Sequence, residues 1–240
     1  MQSVAQIGNL RGFYSLVISM PNNPTRDRLG LKSFYRRNLP HIQPVNSTFF
    51  LTFRLTGSVP EHVLRRMAEE RKLLKQAEES AAELNLRLGK LARRHFAMLE
   101  SWLDKASTGP IWLKKASIAR IIAEALNHRD GKMYTLDAFT IMPNHVHAVF
   151  TPLESKGTPQ SLSSIMHSLK RITARRGNLI LKRKGAFWEH ESFDHYVRNR
   201  AEWKRIIKYV IENPVKAGLV RDWKDWEWTY LRSPSFEGAS

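Results

Sequence analysis

The chain contains no cysteine. That excludes disulfides, thiolate metal sites and cysteine nucleophiles, and it leaves His, Asp, Glu, Asn and Gln as the side chains able to hold a metal. Acidic residues are also scarce: 22 Asp and Glu stand against 39 Lys and Arg, a formal net charge of +17. A surplus of that size points to a polyanionic partner, because each Lys or Arg laid on a phosphate releases condensed counterion, and nucleic acid is the first such partner. No run of roughly 18 apolar residues is present to span a membrane, and neither a basic amphipathic anchor nor a lipidation signal favours a membrane surface. Met1 to Tyr14 holds one Arg and no apolar run ending in a small-residue cleavage site, so no secretory signal is read and a cytoplasmic protein is expected.

The 240 residues are 42% hydrophobic and 10% aromatic, which is enough to build one sizeable core with additions. Residues 1–45 carry Arg26, Arg28, Lys32, Arg36 and Arg37 ahead of Pro40 and Pro44 and read as a loosely structured basic arm. Ser47 to Leu55 is dense in β-formers and runs into Gly57 and Pro60, the pattern of a strand ending in a turn. From Glu61 to Lys105 the composition shifts to Ala, Leu, Glu, Lys and Arg with apolar residues at steps of three, four or seven, which predicts one long helix or a helical pair inserted into the domain. Further along, the spacing predicts a helix over 116–126, strands over 133–142 and 145–151 joined by a tight Pro143-Asn144 turn, and helices over 161–176 and 201–212. That order describes an α+β domain with a central antiparallel sheet flanked by helices over residues 46–231, followed by a tail at 232–240.

Three groups of residues carry possible chemistry. His145 and His147 are two apart on a predicted strand, so both imidazoles leave the same face of the sheet while Val146 leaves the other. Taken alone, such a pair is more often a satisfied buried couple than a metal site. Tyr209 and Asn213 are four apart, one turn along the predicted helix, which Pro214 is expected to end. A phenol with an ordinary pKa of about 10 is a poor nucleophile at neutral pH, so a tyrosine acting on phosphate needs a metal or base beside it. His145, His147 and the carboxamide oxygen of Asn213 would together suit Mg²⁺ or Mn²⁺ and leave positions open. The third group is the basic run Lys170, Arg171, Arg175, Arg176, Lys182, Arg183 and Lys184, which contains no acid and is followed by Phe187, Trp188, Phe193, His195, Tyr196 and Arg198. Cations to neutralise a backbone and rings to stack on bases make this the candidate DNA surface; a solvated face followed by core aromatics has the same pattern.

The stretches RRNLPHIQPVNSTFFLTFRL (36–55), DAFTIMPNHVHAVFTPL (137–153), SLSSIMHSLKRITARR (161–176), FWEHESFDHYVRN (187–199) and YVIENPVKAGLV (209–220) resemble the IS200-like transposases, specifically their REP-associated tyrosine branch. The resemblance implies a ferredoxin-like HUH nuclease fold. In such a fold His145, His147 and Asn213 bind a divalent cation and Tyr209 attacks the scissile phosphate, with Tyr196 as the second candidate nucleophile. It further implies a single-stranded or hairpin-forming DNA partner contacted by the basic run together with Trp188, His195 and Arg198, and a monomer or homodimer. Two features depart from the pattern: the 61–105 segment is longer than in compact members, and Trp188-Glu189-His190 stands where Trp-Gln-Arg is commoner, placing an acid beside an expected phosphate path. A catalytically silent DNA-binding protein on the same scaffold, or a metal phosphodiesterase using water, are the rival readings.

Overall fold

The computed structural model describes residues 31–36, 40–44, 46–76, 80–155 and 157–232. Arg26, Arg28 and Arg37 of the expected basic arm, and the tail beyond residue 232, lie outside the described residues. Within the stretch read as a loose arm, β1 (Leu31–Arg36) and β2 (Pro40–Pro44) pair as an antiparallel hairpin.

The chain forms two compact units. In the described part of the first, 57–110, the helical segment is a pair, α1 (Glu61–Gln76) and α2 (Ala81–Lys105). The break is enforced by Ser80, whose hydroxyl accepts the Glu83 N–H and donates to the Glu83 carboxylate, a reciprocal cap that starts a new helix. Val59, Val63, Met67 and Leu103 form the apolar seam. Glu70 ties the helices together by accepting from His95 Nε2 at 2.8 Å and from Arg94 at 2.7 Å. The His95 bond, aided by Arg94 and Arg66, holds the Glu70 carboxyl down to about 2.

The second unit, 29–56 with 111–240, is built on a five-stranded antiparallel sheet. In chain order it runs β3 (Phe49–Arg54), α3 (Ala116–Asn127), β4 (Tyr134–Ile141), β5 (His145–Pro152), the two-residue pair β6 (Glu154–Ser155) and β7 (Thr158–Pro159), α4 (Leu162–Ile180), β8 (Phe193–Tyr196), α5 (Arg200–Lys216) and β9 (Thr229–Leu231). The sheet order is β8-β3-β5-β4-β9. Leaving aside the edge strand β9, this is βαββαβ with the last strand beside the first and the third beside the second, the ferredoxin-like arrangement. The α+β class expected from the order of elements is therefore the class observed.

The two faces of the sheet differ in chemistry. Alternation sends Phe49, Leu51 and Phe53 from β3 and Val146, Ala148 and Phe150 from β5 to one side, where they meet Ile118, Ile122 and Leu126 of α3 and Leu162, Ile165 and Leu169 of α4. Each such buried side chain contributes roughly 1.5–3 kcal/mol. The other face carries Phe50, Thr52, His145 and His147 and is met by α5.

Two expectations are corrected here. Trp188, assigned a DNA contact, is 7% exposed; its ring packs edge-on against Phe53 and Phe187, and its indole N–H donates to Thr173 Oγ1 at 2.8 Å. It is a core residue with no ring face left for a base. Pro214, expected to end its helix, lies inside α5. Proline removes one donor and keeps a helical φ, and the helix resumes through Ala217 N–H to Asn213 O and Gly218 N–H to Val215 O. It stops at Gly218, whose φ of +70° is left-handed.

Gly177 of α4 leaves room for Phe187: a Cβ there would stand 2.6 Å from Phe187 Cε2 and 2.9 Å from Cζ. Overpacking of this kind costs ~1–3 kcal/mol, whereas the helix-propensity gain of alanine over glycine is about 1 kcal/mol. Gly177→Ala should therefore lower the midpoint of urea unfolding; a midpoint at or above that of the parent protein would show that Phe187 is free to move aside.

Candidate active site between the sheet and helix α5

Register decides what surrounds the histidines. On the α5 side of the sheet, Thr52 of β3 lies directly across from His147 of β5. Its Oγ1 is 2.8 Å from His147 Nδ1. His145 begins β5 straight after the Pro143-Asn144 turn, which is closed by Met142 N–H donating to His145 O. The turn is held in place by Leu55 N–H donating to Asn144 O. The Asn144 side chain then turns inward, and its Oδ1 accepts from His145 Nδ1 at 2.7 Å.

An amide oxygen can only accept, so His145 carries its proton on Nδ1 and presents a bare lone pair at Nε2. That nitrogen faces His147 Nε2 at 3.0 Å. The Thr52 hydroxyl rotates freely and serves either tautomer of His147. When it donates to Nδ1, His147 Nε2–H donates to His145; when it accepts from Nδ1–H, both Nε2 lone pairs converge on one point. Two ligands at right angles on an octahedral cation with bonds near 2.0–2.1 Å are separated by about 2.9 Å. The observed separation fits that spacing. Burial pushes the His145 imidazole down to about 3 and the His147 imidazole well below its usual range, with His145 and Lys216 adding to the latter. Both rings are neutral at physiological pH, as ligands must be.

Helix α5 brings the tyrosine. Asn199 caps its start, accepting Glu202 N–H at 2.9 Å, and the Glu202 carboxylate accepts Arg198 N–H and is 3.1 Å from His195 Nε2. Anchored in this way to the β8 edge, the helix lays the Tyr209 ring 5.4 Å from the His147 ring and edge-on to Phe50. Asn213 lies one turn further on. It is 0% exposed, and neither its Oδ1 nor its Nδ2 has a hydrogen-bond partner among the described residues. An unpartnered buried carboxamide one turn from a tyrosine that touches a histidine pair fits the donor set expected for a hard cation.

The second candidate tyrosine is elsewhere. Tyr196 pairs across from Phe49, a residue of the two-helix face, and packs against that core. It lies on the sheet face away from His145 and His147. His195 is on the histidine side but is engaged with Glu202, and the Arg198 guanidinium lies 5.8 Å from the Tyr196 ring centroid.

The basic run divides as well. Lys170 donates to the Glu189 and His190 carbonyls, Arg176 pairs with Glu124, and Arg183 donates to Asn178 and Ala186 while lying 4.2 Å over the Trp112 ring. Arg171, Arg175, Lys182 and Lys184 are exposed. Glu189, the acid that departs from the family pattern, pairs with Arg54 at 3.3 Å. Sequence reasoning did not identify Asn144, Thr52 or Lys216, whose ammonium is 4.8 Å from the Tyr209 ring centroid. Asn144 adjoins His145 and could have been suspected, whereas Thr52 is linked to His147 only by strand register.

Residues 112–213, which carry the histidine pair and the helix-borne tyrosine that faces it, match a family model. The family is described as "Transposase IS200 like", and the matched segment ends on Asn213. The matched segment begins after the helical pair that separates β3 from the remaining strands. An uncharacterized protein of Haemophilus influenzae is 28% identical over a region covering 33% of this chain and 54% of its own. A REP-associated tyrosine transposase of Escherichia coli K12 is 27% identical over 39% of this chain and 52% of its own. The chain thus spans about half the length of the curated relatives it matches. A solved REP-associated tyrosine transposase bound to a REP hairpin aligns with a TM-score of 0.44 at 16% identity, covering 82% of this chain and 81% of that one. No described helix is long and apolar enough to cross a membrane.

Thr52→Val keeps the shape of the side chain and removes the hydroxyl that meets His147 Nδ1. Loss of a partner that orients a metal-ligating histidine costs 10–100-fold in metal affinity, so Mn²⁺ titrated calorimetrically into Thr52→Val should bind about that much more weakly. Unchanged Mn²⁺ affinity would mean that Thr52 does not orient the ring.

Proposed function

We propose that this chain cuts and rejoins single-stranded DNA through a covalent tyrosine intermediate, with Tyr209 as the nucleophile. The observation that carries the reading is the placement of the Tyr209 ring against the converging histidine pair, with the unpartnered Asn213 carboxamide on the same helix face. A divalent cation held by His145, His147 and Asn213, either Mg²⁺ or Mn²⁺, would polarise a phosphoryl oxygen. The protein's own contribution is to aim the phenol. Asn144 and Thr52 fix the imidazoles, and α5, anchored through Glu202 at one end, carries Tyr209 to them.

In the proposed step the Tyr209 phenol oxygen attacks phosphorus and the bond from phosphorus to the 3′ oxygen breaks. The phenol proton leaves to solvent and the departing 3′ oxygen takes one up, leaving a 5′-phosphotyrosine and a 3′-hydroxyl. Attack by another 3′-hydroxyl reverses the step and rejoins the strand, and no nucleotide cofactor is needed because the phosphotyrosine conserves the bond energy. The resemblance of the motifs to the REP-associated branch favours a hairpin-forming single strand as substrate. The exposed cations Arg171, Arg175, Lys182 and Lys184 would hold its backbone.

Incubating the full chain with labelled hairpin-forming oligonucleotides and Mn²⁺ should give a denaturant-resistant adduct that disappears with EDTA and in Tyr209→Phe. Tight binding without adduct or cleavage across a diverse pool would favour a silent DNA-binding protein instead, and hydrolysis surviving in Tyr209→Phe would favour a water nucleophile. For the binding surface, Arg171→Ala with Arg175→Ala should weaken hairpin binding at every sequence and reduce the slope of log affinity against log salt by about 2. A slope identical to that of the parent protein would place the DNA elsewhere.

A further inference from the structure

The turn of α5 beyond Pro214 has a chemical consequence. Because the helix continues to Lys216, that residue stands seven positions after Tyr209, two turns along, on the face that also carries Asn213. Its ammonium is 4.8 Å from the centroid of the Tyr209 ring. The pairing of Lys216 with Glu212 is long, at 3.9 Å, and Glu212 also approaches Lys208 at 3.7 Å. The Lys216 side chain is 27% exposed, whereas Tyr209 is 6% exposed and Asn213, His145 and His147 are 0% exposed.

We infer that Lys216 holds the phosphodiester that Tyr209 attacks, its ammonium meeting a non-bridging phosphate oxygen. The inference rests on the reading of Tyr209 as nucleophile. Three physical points support it. Lys216 is the most exposed member of the group, so an incoming phosphate meets it first. The C-terminal end of a helix carries partial negative charge, which opposes a phosphate brought alongside it, and a lysine in the last turn reverses that field locally. A lysine is also a compact point charge with three rotatable donors, suited to following the phosphate as the bond to the tyrosine forms and the bond to the 3′ oxygen breaks. Lys216 takes and gives no proton in this scheme; its charge is constant throughout.

The test uses the full chain with labelled hairpin-forming oligonucleotides and Mn²⁺, under single turnover. Lys216→Ala should slow adduct formation about 100-fold, the cost of deleting one donor aimed at developing charge, and Lys216→Arg should recover most of the rate because the charge is retained. In the Tyr209→Phe background, adding Lys216→Ala should weaken binding of a short unstructured single strand about tenfold, the effect of losing one hydrogen bond to a charged group. Wild-type adduct rates in Lys216→Ala, failure of Lys216→Arg to recover any rate, or equal affinities in the Tyr209→Phe pair would each overturn the inference. An adduct persisting in Tyr209→Phe would instead overturn the nucleophile assignment, and the single-strand binding comparison would still decide the role of Lys216.

Discussion

A row of four polar side chains crosses the buried sheet: Asn144 to His145, His145 to His147, and His147 to Thr52, with separations of 2.7, 3.0 and 2.8 Å. The candidate site depends on that row. Its two ends are groups whose positions are set by the backbone, Asn144 through a hairpin turn and Thr52 through the pairing of β3 with β5. Between them the two Nε2 atoms have nowhere to turn. A slip of one residue in the β3–β5 register would exchange Thr52 for Leu51 or Phe53 and send a hydroxyl into the hydrocarbon core. The apolar alternation that builds the core therefore also places the partners of both histidines.

Much of this arrangement was legible in the sequence, and the reasons are local. His145 and His147 share a face because strand side chains alternate, and Tyr209 and Asn213 share one because a helix turns every 3.6 residues. The antiparallel sheet followed from the order of periodic segments. What could not be read depended on distant pairing or on the balance of a local rule against its surroundings. Nothing near Thr52 in sequence points to His147, 95 residues away. Trp188 looked like a base-stacking ring because it follows a basic run, but Thr173 and Phe53 supply the partner and the pocket that make it core. Pro214 looked like a helix end because proline lacks a donor. In place, Ile206, Ile207 and Val210 hold α5 on the sheet, and burial of that apolar side outweighs one missing bond.

The same comparison explains why charge counting alone misplaces the basic residues. Lys170, Arg176 and Arg183 are committed within the fold, the first as a clamp on the 189–190 carbonyls that carry the chain toward β8. Arg54, which the sequence did not single out, neutralises Glu189. An acid in a predicted phosphate path thus ceases to be an obstacle once its partner is known. The exposed cations of α4 belong to the two-helix face, whereas the histidines belong to the other. Under the proposed function a bound strand has to pass an edge of the sheet, an arrangement that a linear reading of basic and catalytic motifs does not convey.

The division of labour between the faces bears on a place where the structure breaks a rule of stability. A buried carboxamide left without partners costs on the order of 1–3 kcal/mol, and the interior of a helix offers Asn213 no compensating role as a cap. A leucine there would suit both the helix and its burial better. The opposite face, closed by α3 and α4 over an aromatic and aliphatic layer, supplies apolar burial that can offset the asparagine. Departures from local consistency concentrate where a protein binds or reacts. On this face they coincide: an amide without a partner among the described residues, two neutral imidazoles with facing Nε2 atoms, and a tyrosine held beside them.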